Sequence, residues 1–158
     1  MKKLTPYLFI ILFFLLFFSC NKSILFDEKV VFTNTNWTFE NKEIFYKGTL
    51  QNSKKPYAII LELTLTESLN VDMFYATFSI ISPAGGNTVK SIVFNFKNPQ
   101  EPYIQGNTPN EKIYKMIVYP KRFFSETGDY TFIVNQRSSK ADNYGIKSLR
   151  MYIKQVKE

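Results

Sequence analysis

The chain has 158 residues, with 20 Lys and Arg against 13 Asp and Glu, no His and a single Cys. Without His there is neither a Ser-His nor a Cys-His nucleophile system and no His-ligated zinc, and one Cys closes no internal disulfide and builds no thiolate metal site. Sixteen Phe and ten Tyr favour strands and a packed core over disorder, so the composition points to a folded domain and away from enzymology without naming a function.

Met1-Lys2-Lys3 forms a short positive start, followed by an apolar run over residues 7–18 and then Ser19-Cys20. Twelve apolar residues are too few to span a bilayer, which takes about 20, and match the apolar stretch of a signal peptide. Ordinary signal cleavage needs small residues at −1 and −3. Ser19 is small but Phe17 is not. A small residue directly before Cys is instead the end of a lipobox, where the thiol is acylated with palmitate-type chains and the signal is cut before it. Phe17 stands where a lipobox usually has Leu. The other reading, an incidental Cys beside a signal anchor, leaves the position of the only Cys unexplained.

The expected organisation is therefore a lipoprotein signal peptide over 1–19, a lipidated Cys20 with a short tether over 20–25, and one domain over 26–158. Loss of Lys2 and Lys3 leaves 18 basic against 13 acidic residues, a net charge of +5 on the 139 residues from Cys20 onwards. A domain of that length buries about two-thirds of its unfolded surface and needs no disulfide.

From about residue 43 the apolar residues recur with period two. Tyr57, Ile59, Leu61, Leu63 and Leu65 share one face; Phe74, Ala76, Phe78 and Ile80 share another. Ile92, Phe94 and Phe96, then Tyr130, Phe132 and Val134, then Leu149, Met151 and Ile153 repeat the pattern. Such alternation predicts antiparallel sheets with one face in the core. Turn signals fall at Ser53-Lys54-Lys55-Pro56, at 82–87 and at Thr127-Gly128-Asp129. No amphipathic helix of ten residues separates the strands. The predicted fold is an all-β antiparallel sandwich of about seven to nine strands, jelly-roll or Ig-like. Residues 108–111 can open one helical turn, although Ile113, Ile117 and Tyr119 behind them suit a strand equally. Residues 98–110, with three Pro and one Gly, form the longest irregular stretch and the expected partner-binding loop.

Several residues carry two readings. Trp37 is either a surface platform for a partner or sugar, or a packed residue closing one end of the sandwich. Residues 137–158 hold Arg137, Lys140, Lys147, Arg150, Lys154 and Lys157 against Asp142 and Glu158. They face anionic headgroups or an acidic partner, or they are the solvent side of an edge strand guarded by Lys. Asp27, Glu28, Glu126, Asp129 and Asp142 lack the spacing of a calcium loop or a two-carboxylate site and read as turn and solvent residues. The site expectations are thus no catalytic residue, no metal, no cofactor other than covalent lipid on Cys20, and partner contacts at Trp37, Tyr103, Arg150 and Lys154. Nucleic acid is not an expected partner of an exported, anchored domain.

The order of short motifs resembles the gliding-motility lipoprotein GldH family of Bacteroidetes. The motifs are Phe26-Asp27-Glu28, Asn36-Trp37, Pro83-Ala84-Gly85, Tyr119-Pro120, the run from Gly128-Asp129-Tyr130 to Asn135-Gln136, and the closing stretch from Gly145-Ile146 to Ile153-Lys154. The resemblance covers Phe26 to Lys154 and is densest after Tyr119. The family's Gly-rich, Trp-containing loop is reduced here to Tyr103-Ile104-Gln105-Gly106, and its Asp-Thr hairpin return is missing at Lys90-Ser91. The resemblance implies a non-enzymatic accessory or scaffold lipoprotein of the gliding and type IX secretion apparatus, acting through protein–protein contacts with other envelope proteins. The family also occurs in organisms that do not glide. Surface-displayed lipoproteins of Bacteroidetes carry an acidic cluster after the lipidated Cys. Asn21-Lys22-Ser23-Ile24 has none, so the expected place is the outer membrane, facing the periplasm. A second functional reading is a sandwich lipoprotein that binds a glycan or other envelope ligand, which predicts a line of exposed aromatic rings on one face.

Overall fold

The computed structural model describes residues 24–51, 53–99 and 101–156. The signal segment, Cys20 and residues 21–23 lie outside them. Nine strands follow in chain order: β1 (Ile24–Val31), β2 (Glu43–Leu50), β3 (Ser53–Thr66), β4 (Met73–Ile81), β5 (Asn87–Asn95), β6 (Ile104–Gln105), β7 (Glu111–Phe124), β8 (Gly128–Gln136) and β9 (Ile146–Gln155). Among the described residues the only helical piece is a 3₁₀ turn at Thr33–Thr35. None of their helices is long and apolar enough to cross a membrane.

The strands form two antiparallel sheets, β1-β9-β3-β7-β6 and β2-β8-β4-β5. The chain changes sheet at most connections, while β4 and β5 form a hairpin within one sheet. With β6 counted as a two-residue addition to the edge of β7, the order is that of an eight-stranded, double-Greek-key jelly roll. In an Ig-like sandwich the first two strands pair with each other. Here β1 pairs only with β9, and β2 lies in the other sheet.

The period-two faces meet between the sheets. Ile59, Leu61, Leu63, Phe78, Phe94, Phe132, Val134, Leu149, Met151 and Ile153 are all fully buried. Their rings interlock, with Phe132 against Phe78, Phe124 and Tyr130, and Phe94 against Phe74 and Tyr114. Offset and edge-on pairs of this kind add about 0.5–1.5 kcal/mol each beyond their buried area. A hydrogen bond also ties the layers together: the buried Tyr46 hydroxyl on β2 donates to the Leu149 carbonyl on β9, 2.9 Å away. The hairpin turn at residues 82–86 closes through Gly85, whose φ of +83° suits glycine. Gly128, with φ +140°, opens β8.

Three sequence expectations need correction. Ser53-Lys54-Lys55-Pro56 is not a turn but the irregular start of β3, where the register against β7 shifts between Ser53 and Tyr57. Pro56 is tolerated there because its carbonyl still accepts the Val156 N–H. The basic C-terminal strand is not at an edge, because β9 lies between β1 and β3. Residues 111–124 are a strand throughout, but the buried face is Tyr114, Met116 and Val118, while Ile117 is exposed.

Candidate interaction surface

The outer face of the five-stranded sheet is charged, and the ions at its centre are paired. Arg150 on β9 donates from Nε and Nη2 to both carboxylate oxygens of Asp27 on β1, at 2.7 and 2.6 Å. Its Nη1 donates to Glu62 on β3 at 2.9 Å, and the guanidinium lies over the Tyr152 ring. The Tyr152 hydroxyl donates to the other Glu62 oxygen. The hydrogen bond from Arg150 holds the Asp27 carboxyl below its ordinary range. Further along, the Lys147 ammonium is bonded to Glu111, whose carboxylate also accepts the Asn107 N–H and is likewise held low, first by the lysine. A hollow of about 260 Å³ is lined by Lys29, Glu62, Glu111 and Arg150. Of these, Glu62, Glu111 and Arg150 already have partners within the molecule.

The outer face of the four-stranded sheet has the opposite character. β4 presents Met73, Tyr75, Thr77, Ser79 and Ile81, and β5 presents Asn87, Val89, Ser91, Val93 and Asn95. None carries a charge. The only ionisable side chain of β4 and β5 besides Tyr75 is Lys90, which points to the other side and donates to the Val118 carbonyl of β7 at 2.7 Å. Ile133 on β8 lies between Ser79 and Phe45 in register and extends the apolar surface towards β2. Met73, Phe45, Tyr75 and Val89 are each about half exposed. The charges on this face, Glu43, Lys47 and Asp129, stay on β2 and at the start of β8. A sheet face that is charge-free over β4 and β5 and carries exposed Tyr, Met, Val and Phe across β4, β5 and β2 has the pattern of a protein contact surface.

The expected site residues are scattered over the molecule. Cys20 lies outside the described residues. Trp37 is fully buried, stacked on Phe32 at 5.0 Å and packed on Phe74 at 4.9 Å, with its indole N–H donating to the Asn41 carbonyl. It closes one end of the sandwich, and the surface-platform reading is overturned. Asn143, also fully buried, donates its amide to the Trp37 carbonyl and accepts from Ser138, so the 137–145 segment is built onto the same plug. Tyr103 is half-buried. Its hydroxyl donates to the Phe96 carbonyl at 2.6 Å and its ring packs near Tyr114, which pins the long loop to the core. The loop is tied further by the Gln105 side chain, which donates to the Thr108 and Glu111 carbonyls. Arg150 is spent on Asp27 and Glu62. Of the two basic site candidates, Arg150 and Lys154, Lys154 is the exposed one, at the end of β9 opposite Ile24.

The surface of β4 and β5 was missed at the sequence level, although its signal was there: MFYATFSII has no charged residue, and NTVKSIVFN has one. The carboxylates serve turns, with Glu126 accepting the Ala84 N–H, Asp129 the Thr49 hydroxyl and Asp142 the Asn36 amide. Among the described residues no group of three or more His, Cys, Asp or Glu could hold a metal ion. The exposed rings do not form a line. Phe45 and Tyr75 share a face but sit two strands and four residues apart, about 16 Å. Phe39, Tyr144 and Phe123 lie at the two ends. The chain matches no protein-family model and no curated protein.

Proposed function

We propose that this chain is a membrane-anchored, non-enzymatic lipoprotein that serves as an accessory or scaffold component of the gliding-motility and type IX secretion apparatus through protein–protein contacts. Cys20 carries the lipid, the outer membrane holds the domain facing the periplasm, and the jelly roll presents a rigid contact face. The observation that carries the contact role is the charge-free outer face of β4 and β5, set against an opposite sheet face whose central ions, Asp27, Glu62 and Arg150, are paired with one another. The named apparatus rests on the order of short motifs from Phe26 to Lys154. The absence of His from the whole sequence supports a non-catalytic role.

Two variants in the native host test this reading. Cys20→Ala removes the anchor, and Tyr75→Glu combined with Val93→Lys places charges on the sheet face. Both are expected to impair colony spreading and type IX secretion, and to lower the levels of partner envelope proteins. The sheet variant is also expected to lose those partners on purification while keeping its melting temperature. Normal spreading, secretion and partner levels in both strains would refute the proposal.

A further inference from the structure

The register of the five-stranded sheet brings one end of the sandwich next to the chain that precedes the fold. Ile24, the first residue of β1, pairs with Lys154, and Lys154 pairs on its other side with Ala58 of β3. The start of β3 meets the end of β7 there, Ser53 against Phe124 and Tyr57 against Arg122. Lys54, Lys55, Lys121, Arg122 and Lys154 therefore gather at the end where the described chain begins. The four lysines are exposed, and Phe123 among them is 50% exposed, with the Lys121 ammonium 5.9 Å from its ring centre. Arg122 is half-buried over the Tyr119 ring, so the outward charge is carried by lysine.

The described acidic residues at this end are fewer than its five basic ones. Among the described residues at this end only Glu126 and Asp129 are acidic, and both accept hydrogen bonds from turn and strand groups. At the other end, the connections over 32–42, 67–72, 96–110 and 137–145 hold five acidic against four basic residues. The charge is thus polarised along the strands, and the positive end carries an exposed aromatic ring. Cys20 is four residues before Ile24, a span of at most about 14 Å.

We infer that this end of the sandwich seats on the anionic headgroups of the bilayer to which Cys20 fastens the chain, with Phe123 entering the interface and Lys54, Lys55, Lys121 and Lys154 around it. The inference rests on the lipid-anchor reading above and adds an orientation to it. A Phe side chain gains by entering the boundary between headgroups and acyl chains, and lysines near an anionic surface are held there at low and physiological salt. Seated this way, the strands rise from the membrane and the β4–β5 face stands sideways, clear of the lipid. The charge that matters is not the basic C-terminal run. Arg137 and Lys140 lie at the far end, Lys147 and Arg150 are paired, and among the described residues of that run only Lys154 takes part.

The full chain, purified with its lipid from native membranes, is reconstituted into vesicles of phosphatidylcholine alone or mixed with phosphatidylglycerol. Acylation consumes the only native thiol, so a polarity-sensitive fluorophore on Phe123→Cys reports one place, and the same label on Phe45→Cys is the control. On mixed vesicles the label at 123 is expected to shift to the blue and the label at 45 is not. Replacing Lys54, Lys55 and Lys121 by Gln is expected to lower the docked-to-undocked ratio about five-fold per lysine, and added salt is expected to do the same in the parent. Flotation with both vesicle types but no shift at 123, or a shift indifferent to the lysines, overturns the docking with the anchor intact. Failure to float on either, with an unmodified Cys20 by mass, overturns the anchor reading and the docking with it.

Discussion

Gly48 of β2 tests how β1 is held. A Cβ built there would lie 2.6 and 2.9 Å from two carbons of the Phe26 ring on β1, far inside van der Waals contact. The ring itself packs on Tyr46 and Phe132 and is the main inward contact of that edge strand. Gly48→Ala sets two effects against each other. Alanine in place of glycine in a strand gains about 0.5–1 kcal/mol from the unfolded state. Forcing a methyl into a filled slot costs about 1–3 kcal/mol, and the Phe26 ring is rigid and walled on two sides. The clash wins, with a net loss of about 1–2 kcal/mol. For the 139 residues from Cys20 onwards this lowers the melting temperature by about 3–7 °C. Phe26→Ala removes the clash, so Gly48→Ala in that background is expected to be neutral or slightly stabilising. Calorimetric or circular-dichroism melts of the four proteins give the coupling directly. An equal or higher melting temperature for Gly48→Ala alone, or strict additivity in the cycle, would refute the reasoning.

Asn143→Leu leaves the Trp37 carbonyl and the Ser138 hydroxyl without their buried partner and is expected to cost about 2–3 kcal/mol in denaturant melts, with red-shifted emission from the single Trp. Asp27 has its carboxyl depressed by Arg150, so its contribution is complete above the unfolded value near 4 and fades as pH falls through the lower folded value. Asp27→Asn is thus expected to flatten the stability profile below about pH 4, while costing under about 1 kcal/mol at neutral pH because the pair is partly exposed. Lys90 guards the gap between the edges of β5 and β7 through the Val118 carbonyl. Lys90→Val is expected to raise concentration-dependent association in light scattering, with little change in the monomer's stability.

The strands most legible in the sequence are those whose neighbours on both sides give a strict inside and outside. Phe74, Ala76, Phe78 and Ile80 alternate with Tyr75, Thr77 and Ser79 because one face of β4 is core and the other is surface. β1 escaped notice because an edge strand with Asp27, Glu28 and Lys29 in its middle shows no alternation, and its single inward ring is matched by a glycine far away in sequence. Ser53–Pro56 has the composition of a turn but is spent on a bulge. Ala58, Ile60 and Tyr152 form a small second cluster on the outer face, so β3 is apolar on both sides near its start and its alternation is blurred there. For the candidate surfaces, pairing decided what composition could not. Arg150 looked like an available cation until β1 and β3 brought Asp27 and Glu62 to either side of it, and Trp37 looked like a platform until Phe32 and Phe74 closed over it.

The place of β9 also sets an order of events. β1 has one neighbour, and that neighbour is the last strand of the chain, so Ile24 finds Lys154 only across about 130 residues. Contacts of such separation form slowly, and here they cannot form before nearly the whole polypeptide has emerged. β1 therefore stays unpaired through synthesis and, if Cys20 is lipidated as proposed, leaves the chain before it open to the enzymes that would cut and acylate it. Only the arrival of the C-terminal strand draws β1 into the sheet.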